Sequence, residues 1–121
     1  MNILLIDTST RTARVGLIQD EQLTDITEWE STPELGKKLL EVVDELLKKH
    51  GLKLEEVERV AVHRGRVGSS FMSLRTGIVT ATMLAQALGA ELVAVESDDV
   101  QTMIREVSQG EVVGIIQPVY S

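Results

Sequence analysis

Two short polar stretches carry the residue types that bind phosphate. The first is "IDTST", residues 6–10, which follows an apolar run at the start of the chain. In this position Asp7 would hold a magnesium ion through water, and the hydroxyls of Thr8, Ser9 and Thr10 would donate hydrogen bonds to phosphate oxygens. The same residues also form ordinary Asx or Ser/Thr turns, in which the side chains bond only to nearby backbone. The residues alone favour the turn.

The second stretch precedes a long segment of helical pattern. Backbone N–H groups around Gly68, Ser69 and Ser70 would face an anion at the start of that helix. A phosphate loop of the Walker type also needs a lysine that reaches the terminal phosphates, and none follows here. Capping of the helix by its own serines explains the same residues without a ligand, and it is the favoured interpretation.

The sequence offers few residues for a metal site, a catalytic triad or a nucleic-acid-binding surface. The chain has no cysteine and only two histidines: His50 is explained by the end of its helix, and His63 has no second histidine or cysteine beside it. We therefore expect no metal site and no cofactor, and no spacing suggests a catalytic triad. The net charge of −7 over 121 residues argues against autonomous nucleic-acid binding. No apolar run suits a signal peptide or a membrane span, so we expect a cytoplasmic protein.

The elements that must position these residues follow from hydrophobic periodicity. Three successive strand patterns are followed by helix 33–50, strand 59–62, helix 71–88, a strand in "AELVAVES", and helix 98–107 capped by Ser97. Pro33 is placed in the first turn of its helix, and Gly51 and Gly89 end the two long helices. "EVVGIIQPVY" is a candidate last strand, which Pro118 interrupts. The order predicts one α/β domain with a mixed five-stranded sheet and helices on its faces.

The two long helices have unusually wide apolar or small-residue surfaces. Helix 33–50 is apolar over more than the stripe that packing on one sheet requires. Helix 71–88 has small side chains at every fourth position, which lets another backbone approach closely. The neighbour is either the other helix of the same chain or a helix of a partner, and the pattern does not choose between them. The predicted partner face consists of Leu35, Leu39, Val42, Val43, Leu46, Leu74, Gly77, Ile78, Ala81 and Ala85.

A family resemblance rests on long pieces of the chain. "MNILLIDTSTRTARVGLI", "LLKKHGL" and the segment from "LEEVERVAVHRG" to "LGAELVAVES" resemble the N-terminal half of the TsaB family, also called YeaZ, over about residues 1–100. The family's loop and helix typically read G-P-G-S-[FY]-T-G-L-R-[IVT]-G. This chain departs at Met72 and Ser73, and residues 66–69 do not reproduce Gly-Pro-Gly. The matching positions are Ser70, Phe71, Leu74, Arg75 and Gly77.

The resemblance implies an actin-like, RNase H-like fold and a role without catalysis. TsaB proteins pair with TsaD, which transfers a threonylcarbamoyl group to the adenine beside the tRNA anticodon, and TsaE joins the complex. Contact with tRNA is then only indirect, and isolated members form homodimers through similar helical surfaces. We therefore expect residues 1–121 to be a single TsaB-like N-terminal domain without most of the family's second domain. The alternative is a small nucleotide-binding domain of the actin and hexokinase type, which would use the "IDTST" turn.

Overall fold

The computed structural model describes residues 1–65 and 71–109, and for Phe71 and Val100 it describes the backbone alone. The elements of this part of the chain are, in order, β1 (Asn2–Asp7), β2 (Thr12–Gln19), β3 (Gln22–Glu30), α1 (Leu35–Lys49), a short 3₁₀ turn (Leu54–Glu56), β4 (Arg59–His63), α2 (Phe71–Leu88), β5 (Glu91–Val95) and α3 (Val100–Gln109).

The five strands form one mixed sheet in the order β3-β2-β1-β4-β5. β1, β2 and β3 are an antiparallel meander, whereas β4 and β5 run parallel to β1. The central strand β1 is apolar from Ile3 to Ile6 because both of its faces are covered. The predicted α/β class and the mixed five-stranded sheet are confirmed.

Helices cover the two faces of the sheet unequally. α1 and α2 pack side by side on the face that contains Leu4 and Ile6 of β1, and this side holds the larger hydrophobic core. The opposite face, with Ile3 and Leu5, is covered by α3 in a smaller core. In the described part of the chain, no helix is both long and apolar enough to cross a membrane.

The helix ends agree with the sequence analysis at α2 and differ at α1 and α3. α2 runs from Phe71 to Leu88 as predicted, and Gly89 follows with a positive φ of 65°. α1 begins at Leu35 rather than Pro33, because Pro33 and Glu34 lie in a turn that the Leu35 N–H closes by bonding to the Thr32 carbonyl oxygen. The predicted last strand, residues 111–120, lies outside the described residues.

The start of α3 corrects the predicted cap. The Asp99 carboxylate accepts hydrogen bonds from the N–H and the hydroxyl of Thr102, as a helix-capping side chain does. The Ser97 hydroxyl instead accepts from the Asp99 N–H in the turn before the helix. Because several residues that can cap a helix are adjacent in this stretch, the local backbone path decides which of them caps α3.

The end of α1 is tied to the edge strand β3 by a charged cluster. Asp25 accepts from His50 Nε2 at 2.8 Å and from Lys49 Nζ at 3.0 Å, and its other oxygen accepts from the Ile26 N–H. The His50 hydrogen bond, followed by the one from Lys49, lowers the pKa of Asp25 to about 2 from 3.8. The ionised carboxylate is therefore the form that the fold favours.

We expect the replacement His50→Ala to raise the pKa of Asp25 toward 3.8, because the largest stabilising hydrogen bond is removed. In the native chain the stabilisation from Asp25 is complete above about pH 4 and is lost as the pH falls toward 2. A carboxyl-carbon NMR titration reads the pKa directly. Lys48→Ala is the control, since Lys48 pairs with Asp44 and not with Asp25, and an equal shift in both variants would contradict the assignment.

Candidate functional site

The turn after β1 holds its polar residues inside the protein. Asp7, Thr8 and Ser9 are buried, and only Thr10 is exposed, with its hydroxyl donating to the Thr12 carbonyl oxygen. One carboxylate oxygen of Asp7 accepts from the N–H and hydroxyl of Ser9. The other forms an ion pair with Arg14, its antiparallel partner on β2. Thr8, Ser9 and Asp7 therefore build an Asx-type turn.

The electrostatics of Asp7 follow from these contacts. Burial by itself would raise the pKa of Asp7, but the hydrogen bonds from Ser9 and Arg14 outweigh it and hold the pKa below 3.8. The nearby His63 ring acts in the same direction. A carboxylate held in this way is already neutralised by a cation of its own chain, the Arg14 guanidinium.

The histidines also have local structural partners. His63 is buried at the end of β4, where its Nδ1 accepts from the Gly65 N–H at 3.0 Å, and its Nε2 lies 3.4 Å from the Asp98 carboxylate. His50 lies at the opposite end of the sheet with Asp25.

Over residues 1–65 and 71–109, no group of three or more His, Asp or Glu side chains is arranged to hold a metal ion. Gly68, Ser69 and Ser70 lie outside the described residues.

The side chains predicted for a partner face are buried by the chain itself, so that choice of residues needs correction. The small row of α2 faces inward: a Cβ atom built on Gly77 would overlap the Thr8 hydroxyl and lie 3.0 Å from Thr8 Cγ2. α2 uses its glycine to approach the end of β1. Leu35, Leu39, Val42, Val43, Leu46, Leu74, Gly77, Ile78, Ala81 and Ala85 all belong to the interior.

A different set of apolar side chains lies on the outer side of the same two helices. On α2, Met72, Val79 and Met83 are 69%, 49% and 53% exposed, and on α1 Leu40 is 46% exposed. We call these four residues the outer face. Arg75 is the only charged residue in α2, whereas α1 carries seven. A helix that is apolar on both sides is typical of one with a second neighbour.

A recess lies beside the outer face, between α1, α2 and the 3₁₀ turn. Its volume is about 240 Å³. Leu40 is common to the recess and the outer face. The residues that line it are Leu40, Val43, Asp44, Leu47, Lys48, Leu52, Lys53, Leu54 and Leu84.

Comparison with known proteins decides the family. A family model described as TsaD, tRNA N6-adenosine threonylcarbamoyltransferase, matches residues 31–116, well over half of the chain. The chain belongs to this family. A comparison with curated proteins finds no match.

Solved structures place the chain more narrowly within the TsaD family. YeaZ from Pseudomonas aeruginosa has 28% sequence identity and a TM-score of 0.70, over 78% of this chain and 43% of that one. An uncharacterized protein with similarity to peptidase YeaZ from Pseudomonas aeruginosa has 27% identity and a TM-score of 0.73, over 90% of this chain and 49% of that one. The chain is therefore a TsaB/YeaZ-like domain, and it spans less than half the length of these structures.

The fold extends to a more distant protein. The RuvC structure from Thermus thermophilus has a TM-score of 0.55 at 16% identity, over 79% of this chain and 64% of that one. At this identity the likeness concerns the fold alone. Together with the YeaZ structures it confirms the predicted actin-like and RNase H-like architecture of this TsaB/YeaZ-like domain.

We expect Gly77→Ala to destabilise the domain by about 1–3 kcal/mol, because the added methyl group overpacks against the buried Thr8 side chain. Alanine would otherwise favour the helix by about 1 kcal/mol. Urea denaturation followed by circular dichroism measures the difference. Thr8→Ala should restore part of the loss in the double variant. Gly36→Ala is the control, since its Cβ would lie 3.6 Å from Thr76 Cγ2, an ordinary contact, and this variant should lose no stability.

We expect Arg14→Met to cost on the order of 3 kcal/mol at neutral pH, because it leaves a buried carboxylate without its cation. The pKa of Asp7 should rise, so the deficit relative to the native chain should shrink as the pH falls and Asp7 becomes protonated. Denaturation midpoints measured between pH 7 and pH 3 test this, because that range extends below 3.8, the ordinary value of the carboxyl. A deficit that stays constant over that range would show that packing of the Arg14 stem, rather than its charge, is responsible.

Proposed function

We propose that this domain is a non-catalytic partner of TsaD in the formation of N6-threonylcarbamoyladenosine in tRNA, and that it binds through the outer face on α1 and α2. The proposal extends the family assignment, which concerns threonylcarbamoyl transfer to tRNA. The single observation that carries it is the exposure of Met72, Val79 and Met83 on a helix with one charged residue.

If a partner covers the outer face, the apolar residues at the exposed positions of α2 are explained, because a helix that faced only water would not favour them. A helix at the surface of a monomer normally presents charged and polar residues to water. α1 follows this rule on its outer positions, except at Leu40, and α2 departs from it along most of its length. Exposed apolar side chains grouped on adjacent helices mark protein interaction sites. In the proposed assembly TsaE joins the TsaD complex, tRNA is contacted indirectly, and the isolated domain forms homodimers in the cytoplasm.

The β1–β2 turn supports a role without catalysis in this proposal. In the nucleotide-binding alternative, Asp7 would hold a magnesium ion through water. Here Asp7 is engaged by Arg14 and Ser9, and the cation that it neutralises belongs to the chain. No described contact favours the nucleotide-binding alternative, and we do not propose it.

The test is complex formation with TsaD from the same organism. We expect the double variant Val79→Glu, Met83→Glu to lose co-purification with TsaD, because two carboxylates would be buried without partners at the interface. Both side chains are about half exposed, so the variant should retain the native circular dichroism spectrum and melting temperature.

The matched control is Gln101→Glu, which adds a carboxylate at an exposed position of α3 on the opposite face of the sheet. This control should bind TsaD as the native chain does. Undiminished binding of the folded double variant would exclude the outer face as the contact with TsaD. Loss of binding in the control as well would point to a general effect of added negative charge.

A further inference from the structure

The only sulfur atoms of this chain belong to methionine. The chain has four methionines and no cysteine. Met72 and Met83 of α2 are 69% and 53% exposed, whereas Met103 of α3 is buried in the smaller core. The fourth, Met1, is exposed at the start of the chain and does not belong to the outer face. Because an oxidant must reach a thioether to react with it, α2 holds two reactive sulfurs and α3 holds a protected one.

The two exposed methionines of α2 lie on one line along the outer face. At 100° per residue, positions 72 and 83 differ by only about 20° around the helix axis, and Val79 lies between them. At a rise of 1.5 Å per residue, the two positions are about 16 Å apart along that axis. They therefore occupy both ends of the part of the outer face that α2 supplies, and any protein that covers Val79 lies against one or both of them.

Oxidation changes the polarity of these two positions. The sulfur lone pair attacks an oxygen atom of hydrogen peroxide, the O–O bond breaks, and an S=O bond forms. The sulfur loses two electrons, and the peroxide is reduced to water. The product is methionine sulfoxide, a polar side chain that disrupts interfaces built on methionine. Inside an apolar contact its oxygen would be buried without a hydrogen-bond donor, which costs free energy.

We propose that Met72 and Met83 are an oxidation-sensitive switch: hydrogen peroxide converts both to sulfoxides in the free domain, and the oxidised outer face no longer binds TsaD. The proposal rests on the proposed function and adds a regulation of the same surface. Bound TsaD covers the two sulfurs and protects them from peroxide. Methionine sulfoxide reductases, one for each sulfoxide epimer, return the face to its apolar state.

The experiment treats the isolated domain with hydrogen peroxide, removes the peroxide and then adds untreated TsaD. Peptide mass spectrometry should find one added oxygen atom on Met72 and on Met83 while Met103 remains unoxidised. Calorimetry should show that binding to TsaD is weakened at least about tenfold, and treatment with both reductases should restore it. Circular dichroism and thermal melting confirm that the oxidised domain is folded.

The matched control is the double variant Met72→Leu, Met83→Leu, which keeps apolar side chains of similar volume and leaves α2 without sulfur. Its affinity before treatment is its own reference, and peroxide should change that affinity less than about twofold. The variant still becomes oxidised at Met1. An equal loss of binding in this variant would assign the effect to another residue and overturn the proposal.

The results separate this proposal from the proposed function. If the Val79→Glu, Met83→Glu variant loses TsaD but the oxidised domain binds it as before, the switch is wrong and the proposed function stands. If that variant and the oxidised domain both bind TsaD as the native chain does, both ideas fail. Oxidation of Met103 as fast as that of Met72 and Met83 would show that the fold does not select the two sulfurs of α2, and the switch would again be wrong.

Discussion

The close approach of α2 to the end of β1 is the constraint on which the rest of this domain depends. Gly77 lies against the buried Thr8 side chain, and there is no room between them for even one methyl group. This contact fixes the rotation of α2 about its own axis. Positions 72, 79 and 83 are then roughly 200–240° around the helix from position 77, at 100° per residue, and must point away from the sheet.

The rotation of α2 explains why its apolar residues serve two different purposes. The inward residues complete the core with α1 and the strands, and the outward residues form the proposed contact with TsaD. A helix with apolar residues on one side only would complete the core but would present no apolar surface to a partner. The same argument places the recess, since its wall is completed where α2 passes α1 and the 3₁₀ turn.

The β1–β2 turn shows how a motif that resembles a phosphate site is used for folding. Asp7 lies at the carboxyl end of the central strand, where open α/β sheets commonly place their ligands. Its carboxylate instead bonds to Ser9 and to Arg14 on the neighbouring strand. The ion pair joins β1 to β2 at the carboxyl end of β1, next to the position where α2 packs. In this domain the turn therefore holds Thr8 in place against Gly77 of α2.

The sequence by itself determined the element order, the span of α2, the α/β class and the family resemblance. These depend on periodicity, turn residues and local motifs, which are properties of neighbours along the chain. Only the tertiary structure decided which side of each long helix is covered. Alanine and leucine at helical spacing satisfy an intramolecular and an intermolecular neighbour equally well, so Ala81 and Val43 were predicted for a partner and proved to be core. The tertiary structure likewise decided the partner of Asp7. Its ion pair depends on the register between β1 and β2, which places Arg14 directly opposite it.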